Sequence, residues 1–264
     1  MRLGSGVFAD GYRLSVEPRD ESKYTILSLG NKYQIKETSH QPFSKQNLPL
    51  IIYEFEGCPF CRKVREAVSM LSLEVTFRPC PKGERFFRPE IKSLHGDKAT
   101  FPYMMDPNSG VKMFESDDII RYLFRVYGKG GDGDGNNNKV PWTLSATSPL
   151  VPLSAGLGLL PRLGRGTTYR MSNPPSAPVI FWSYEGSPFC KMVRERLVEL
   201  GIPHTQISCP RGSFHRDRLY KKTGRFQVPY VEDPNTRVEL FESAAIIEYL
   251  EKVYGLAEPR VKYL

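Results

Sequence analysis

The run Leu50-Ile51-Ile52-Tyr53-Glu54-Phe55 is apolar enough to form a strand buried on both faces. After it, Phe60, Val64, Val68 and Leu71 fall at helical spacing, with Arg62, Lys63, Arg65, Glu66 and Ser69 between them. The pattern predicts a strand, a tight turn and a helix whose charged side faces solvent. Leu73-Glu74-Val75-Thr76-Phe77 predicts a second strand, and a weaker helix around Arg88 to Leu94 stops at Gly96, which together make a right-handed βαβ unit. Phe101–Met105 and Val111–Phe114 flank the turn cluster Asp106-Pro107-Asn108-Ser109-Gly110 and predict a β-hairpin. Ser116 is the expected N-cap of a last helix, with Asp117 and Asp118 in its first turn and Ile119, Ile120, Leu123, Phe124 and Tyr127 on its apolar face. The order is βαβαββα.

The same order returns from Val179 to Tyr254. Glu56-Gly57-Cys58-Pro59-Phe60-Cys61 recurs as Glu185-Gly186-Ser187-Pro188-Phe189-Cys190 at an offset of 129, so Cys58 corresponds to Ser187 and Cys61 to Cys190. Phe101-Pro102-Tyr103 and Phe114-Glu115-Ser116 match Val228-Pro229-Tyr230 and Phe241-Glu242-Ser243 at an offset of 127. The repeat predicts two α/β domains, at residues 48–128 and 178–264, joined by a linker at 129–177. Residues 1–47 read as a small antiparallel β ribbon, from the alternating pieces at Tyr12–Val16, Tyr24–Leu29 and Tyr33–Lys36.

Composition narrows the class. Five scattered cysteines in 264 residues do not form the even, spaced framework of a secreted disulfide scaffold and fit a reducing compartment. The net charge of +8 comes from basic residues interspersed with Asp and Glu, which reads as a solvated surface rather than a nucleic-acid footprint. Neither a secretory nor a transit segment is expected at the start of the chain. Val140 to Pro161 carries no charge, but Pro141, Pro149 and Pro152 break any single spanning helix, so packing between the domains is favoured over membrane contact. Asp132, Asp134 and Asn136 echo a calcium loop, yet Asn137 and Thr143 replace the Gly and Glu that such a loop requires.

Cys58-Pro59-Phe60-Cys61 is either a redox dithiol or half of a zinc site. Zinc needs two further ligands, and only Cys80 and His95 stand nearby, so no metal is expected. A strand-to-helix turn instead places Cys58 where unpaired amides and the helix dipole favour a thiolate, with Pro59 at the first helical position. Cys80 and Cys209 follow the second strand of each repeat and should lie on the same sheet edge as the turn. A packed, inert thiol is the plainer reading of both.

These motifs resemble the thioredoxin-fold family, most closely its glutaredoxin branch and the N-terminal domain of glutathione transferases. The paired arrangement is similar to tandem glutathione-transferase-N-terminal-like proteins of plant and algal plastids. The resemblance implies two tandem thioredoxin-like domains, a soluble chloroplast protein, and glutathione as the cofactor. It implies that Pro102 and Pro229 are cis, that Phe101 and Val228 offer backbone to the cysteinyl part of glutathione, and that Glu115, Ser116, Glu242 and Ser243 hold the γ-glutamyl end. Cys58, Cys61, Ser187 and Cys190 are then the candidate catalytic residues. The leading expectation is a glutathione-linked thiol–disulfide oxidoreductase acting on protein or small-molecule disulfides. The alternatives are a transferase-like site at Ser187 and a non-catalytic glutathione- or partner-binding scaffold.

Overall fold

The computed structural model describes residues 12–18, 25–39, 46–128, 140–141, 144 and 164–256. Strands β1 (Tyr12–Pro18), β2 (Thr25–Leu29) and β3 (Tyr33–Ser39) form an antiparallel sheet in the order β1-β3-β2, as the alternating N-terminal pieces predict. The expected sequence of elements follows as β4 (Leu50–Glu54), α1 (Pro59–Met70), β5 (Glu74–Pro79), α2 (Phe87–His95), β6 (Tyr103–Met105), β7 (Lys112–Met113) and α3 (Ser116–Tyr127). It occurs again as β8 (Val179–Ser183), α4 (Pro188–Glu199), β9 (His204–Ser208), α5 (Phe214–Thr223), β10 (Tyr230–Asp233), β11 (Val238–Phe241) and α6 (Ser243–Tyr254).

Each half buries one face of its strands against two helices. Ile52, Val75 and Phe77 meet Val64, Val68, Ile119 and Leu123 in the first half, and Val179 and Phe181 meet Val193, Leu197, Ile246 and Leu250 in the second. Both hairpin turns are tied to the last helix in the same way. Asp106 accepts hydrogen bonds from Tyr122 (2.5 Å) and Tyr127 (2.8 Å), and Asp233 accepts from Tyr249 (2.7 Å) and Tyr254.

The halves share a single eight-stranded sheet, in the order β11-β10-β8-β9-β5-β4-β6-β7. The joint is the antiparallel pair β5–β9, in which Thr76 faces Thr205 and their hydroxyls lie 3.0 Å apart. These two threonines are each other's counterparts in the repeat, so the halves meet about an approximate two-fold axis. Pairing β5 with β9 removes the exposed edge that each half would otherwise present. The segment before β8 closes over the joint: Lys82 N donates to Thr167 O (2.8 Å) and Tyr169 N donates to Lys82 O (2.9 Å). Gly166, at φ 76, passes so close that a methyl group there would lie 2.5 Å from Glu56 Cβ, which only glycine tolerates.

Two expectations from the sequence change. The polar side of α1 is not a solvent face: Lys63, Arg65, Glu66 and Ser69 are buried, while Phe60, assigned to the apolar face, is 55 % exposed. Ser69 Oγ accepts from Glu185 N (3.0 Å), so part of that side of the helix meets the second half. Ser116 and Ser243 are the first helical residues of α3 and α6, not the caps; Glu115 and Glu242 take the cap positions at φ 66 and 68, without a side-chain capping bond.

Among the described residues, no helix is long and apolar enough to cross a membrane. The calcium-loop echo and the uncharged run lie outside the described residues, apart from Val140, Pro141 and Leu144. Leu144 is buried against the first core with Val140 beside it.

Candidate functional site

Cys58 closes a turn whose amide donates to Phe55 O (3.2 Å), and it caps α1 at φ −84, ψ 118 with Pro59 next in line. Its sulfur accepts the amide hydrogen of Cys61 (3.2 Å), one of the orphan donors that every helix start leaves. The bond with the Cys61 side chain, this amide and the Arg65 guanidinium draw the Cys58 thiol below its ordinary value, against burial and the Glu54 carboxylate. Arg62 and Lys63, which the sequence set beside Cys58, are engaged elsewhere: Lys63 pairs with Asp117 (2.6 Å) and Arg62 faces Glu185 (3.7 Å). Burial and the bond to Cys58 push Cys61 well above its usual value. The two thiols are therefore shifted in opposite directions.

Strand register brings the other first-half candidates to this edge. β6 is antiparallel to β4, with Tyr103 opposite Tyr53, and β7 is antiparallel to β6, with Met113 opposite Met104. Phe101-Pro102 and Glu115-Ser116 thus lie at the same end of the sheet as Cys58, and the thiol sits 3.7 Å from Phe101 O. The Phe101–Pro102 and Val228–Pro229 bonds are cis. Glu115 and Glu242 adopt a left-handed backbone that is uncommon for a residue with a side chain and persists where surroundings impose it. Sequence reasoning missed Arg88, whose guanidinium lies over Phe55 (5.6 Å) and Phe101 (4.9 Å) while its Nε donates to Cys80 O (3.0 Å). Arg216 repeats the arrangement over Tyr184 (5.5 Å), donating to Cys209 O (2.9 Å). The recurrence of an arginine eight and seven residues after Cys80 and Cys209 was the available signal.

In the second half, Ser187 Oγ accepts the amide of Cys190 (3.3 Å), and the Ser187 side chain also bonds that of Cys190. Burial raises Cys190, pushes Cys209 up to about 12 and carries Cys80 higher still. Cys80 and Cys209 point their thiols at Arg78 O and Ser183 O, as packed thiols do. His95 packs tilted against Tyr103 and edge-on against Phe114, each with ring centroids 4.9 Å away.

Beneath both turns lies a buried ionic cluster. Arg65 contacts Glu54, Glu56 (3.1 Å) and Glu185 (3.0 Å), and Arg194 contacts Glu56 (2.7 Å) and Glu185 (2.8 Å). Burial works against the charged form of Glu56, yet Arg194 and Arg65 hold it down at about 2. Glu54 differs: burial outweighs Arg65 and pushes it up to about 7, and its Oε1 has no hydrogen-bond partner. Its counterpart is Ser183, so the buried acid occurs in the half that carries the dithiol.

A folded value near 7 against 4.5 unfolded means that between those pH values Glu54 binds fewer protons in the unfolded chain, so its contribution to stability falls as pH rises through that window, while buried His204, held down at about 4, contributes a rise. The loss is on the order of 3 kcal/mol. Glu54→Gln is expected to abolish this loss, so the urea-unfolding free energy of wild type relative to the variant falls between pH 4.5 and 7. A difference between wild type and variant that is the same at both pH values assigns the pH dependence to other groups.

The glutathione S-transferase N-terminal domain model matches residues 52–132 and again 181–259, together more than half of the chain. A glutathione S-transferase-like protein of Aspergillus fumigatus, tpcF, is 32 % identical over 81 residues, covering 31 % of this chain. The chain spans about a third of that relative's length, 36 %. Among solved structures, the Bombyx mori glutathione transferase BmGSTD1 is 26 % identical, with 33 % of this chain and 39 % of that chain covered and a TM-score of 0.29. The trimeric glutathione transferase TDR1 of Leishmania is 13 % identical, with 81 % and 70 % covered and a TM-score of 0.27. With its matches falling on both copies of the βαβαββα order, the chain belongs to the glutathione S-transferase N-terminal domain family.

Proposed function

We propose that the protein is a glutathione-linked thiol–disulfide oxidoreductase built from two tandem thioredoxin-like domains, residues 48–128 and 178–264, with the chemistry in the first. The observation that carries this reading is Cys58: of the five cysteines it alone has a thiol drawn below its ordinary value, at a helix start that gives its sulfur an amide hydrogen bond. In the reaction, the Cys58 thiolate attacks the glutathione sulfur of a mixed disulfide. The Cys58–glutathione disulfide forms and the substrate thiolate leaves. A second glutathione thiolate then attacks the glutathione sulfur, forming glutathione disulfide and releasing the Cys58 thiolate. Alternatively Cys61, after losing its proton, attacks the Cys58 sulfur, forms a Cys58–Cys61 disulfide and expels glutathione, and two further glutathione molecules reduce that disulfide and leave as glutathione disulfide. Glu54, a buried carboxyl whose charge acts on Cys61, is a candidate to accept the Cys61 proton.

Glutathione is the expected ligand, with its cysteinyl part against the backbone of Phe101 and its γ-glutamyl carboxylate at the start of α3, where helix amides favour an anion. The second half offers Val228, Glu242 and Ser243 in matching positions. There, Ser187 supports a second reading, a transferase-like site, because its O–H can donate to a bound glutathione thiolate. A plastid location, drawn from the resemblance of the paired motifs, belongs to the same proposal.

The test is turnover of a glutathione mixed disulfide of a small thiol, in the presence of glutathione. Sustained turnover that depends on Cys58 supports the proposal, and none by the wild type overturns it. Conjugation of glutathione to an electrophile, lost in Ser187→Ala alone, would move the function to the second reading.

A further inference from the structure

We infer that Arg194, a residue of the second half, is a positioning residue for the Cys58 turn in the first half, and that it acts through Glu56. The inference rests on the reading of Cys58 as the reactive thiol and adds what holds that thiol in place.

Glu56 is the second residue of the Phe55–Cys58 turn, two positions before the reactive sulfur. Its carboxylate receives Arg194 Nε at 2.7 Å and Nη2 at 3.5 Å, with Arg65 Nη2 at 3.1 Å. Arg194 itself is wholly buried, and its other carboxylate partner is Glu185. The turn cannot shift without breaking a charge-assisted bond in a site closed to water, where a lost partner is not replaced by solvent. Gly166 seals the other side against Glu56 Cβ.

The arrangement is reciprocal. Glu185 is the second residue of the Tyr184–Ser187 turn and receives Arg65 Nε at 3.0 Å from the first half. Each turn is therefore held by the opposite half's arginine as well as by its own. The groups facing the cluster are Glu54 from β4, Arg62 and Arg65 from α1, Glu185 from the turn after β8, Lys191 and Arg194 from α4, and His204 from β9.

Without Arg194, Glu56 is left to Arg65, which already serves Glu54 and Glu185, and to the more distant charge of Lys191. Arg65 is also the cation that favours the Cys58 thiolate. Both the turn geometry and the field at the sulfur then worsen together.

The experiment measures alkylation of Cys58 by iodoacetamide in the full chain, resolved by peptide mass spectrometry from pH 4 to 10. Three variants are compared with wild type: Arg194→Met, Arg194→Lys, and Leu250→Ala, which opens a cavity in the second core. Arg194→Met should raise the midpoint of the Cys58 profile by about one pH unit. Arg194→Lys should raise it by less than half as much, and Leu250→Ala should leave it unchanged. An unchanged midpoint in Arg194→Met, or an equal shift in Leu250→Ala, overturns the inference. If Arg194→Met does not fold, Arg194→Lys against Leu250→Ala decides on the same terms. A wild-type midpoint already at the free-thiol value instead overturns the assignment of Cys58, so the two failures are distinguishable.

Discussion

Replacing Cys58 by serine is expected to lower turnover of a glutathione mixed disulfide by about 10³-fold or more, because no other thiol in the chain can take over the attack. Cys61 is nearly inaccessible, and burial holds Cys61, Cys80, Cys190 and Cys209 protonated at neutral pH. Cys61→Ser should behave differently. With glutathione supplied as the resolving thiol, its rate should remain within about tenfold of wild type, since the first attack and the amide bond to Cys58 are both retained. A further variant asks whether the second half is a dormant copy of the same site. Introducing Ser187→Cys into the Cys58→Ser background sets a thiol at an equivalent helix start, accepting the amide of residue 190, and should restore part of the lost turnover. Robust exchange in Cys58→Ser that Cys190→Ser abolishes would transfer the nucleophile to the second half.

The second large effect concerns stability. Arg65→Met should cost about 3–5 kcal/mol, the range for breaking a buried ion pair from one side. The arginine is 1 % exposed and its loss leaves Glu54, Glu56 and Glu185 to share Arg194. In a protein of ordinary stability that is a large fraction of the total. It should appear as a lower urea midpoint at pH 7, in a single transition rather than two, because the β5–β9 pair and the cluster join the halves. A cost below about 1 kcal/mol would mean that the cluster behaves as an exposed salt-bridge network.

The shared sheet and cluster also bear on what the sequence could reveal. The repeated βαβαββα order was legible because each strand and helix carries its own periodicity, and the turn clusters at Asp106 and Asp233 separate them. The joining of β5 to β9 was not, since a strand covered on both edges reads the same whichever strand covers it. The misreading of α1 has a physical cause as well: charged residues at helical spacing are normally solvated, and Arg65 is buried with a partner, Glu185, supplied from 120 residues away. A signal was present within the chain. Glu56, Arg65 and Glu66 recur unchanged as Glu185, Arg194 and Glu195, while the neighbouring Arg62 and Lys63 become Lys191 and Met192. Identity at charged positions, beside drift at their neighbours, marked a role in packing rather than solubility. Ser116 was misplaced by one position because a serine at a helix start reads as a cap, and the left-handed backbone at Glu115 leaves no mark on composition.

The central claim is that Cys58 is the one activated thiol, and the rate of its alkylation as a function of pH in the wild-type chain tests it most directly. The account predicts that Cys58 alone among the five cysteines is modified at pH 6, with a midpoint clearly below the free-thiol value of about 8.5. Modification of Cys58 only above that value, or of Cys190 before it, would contradict the account.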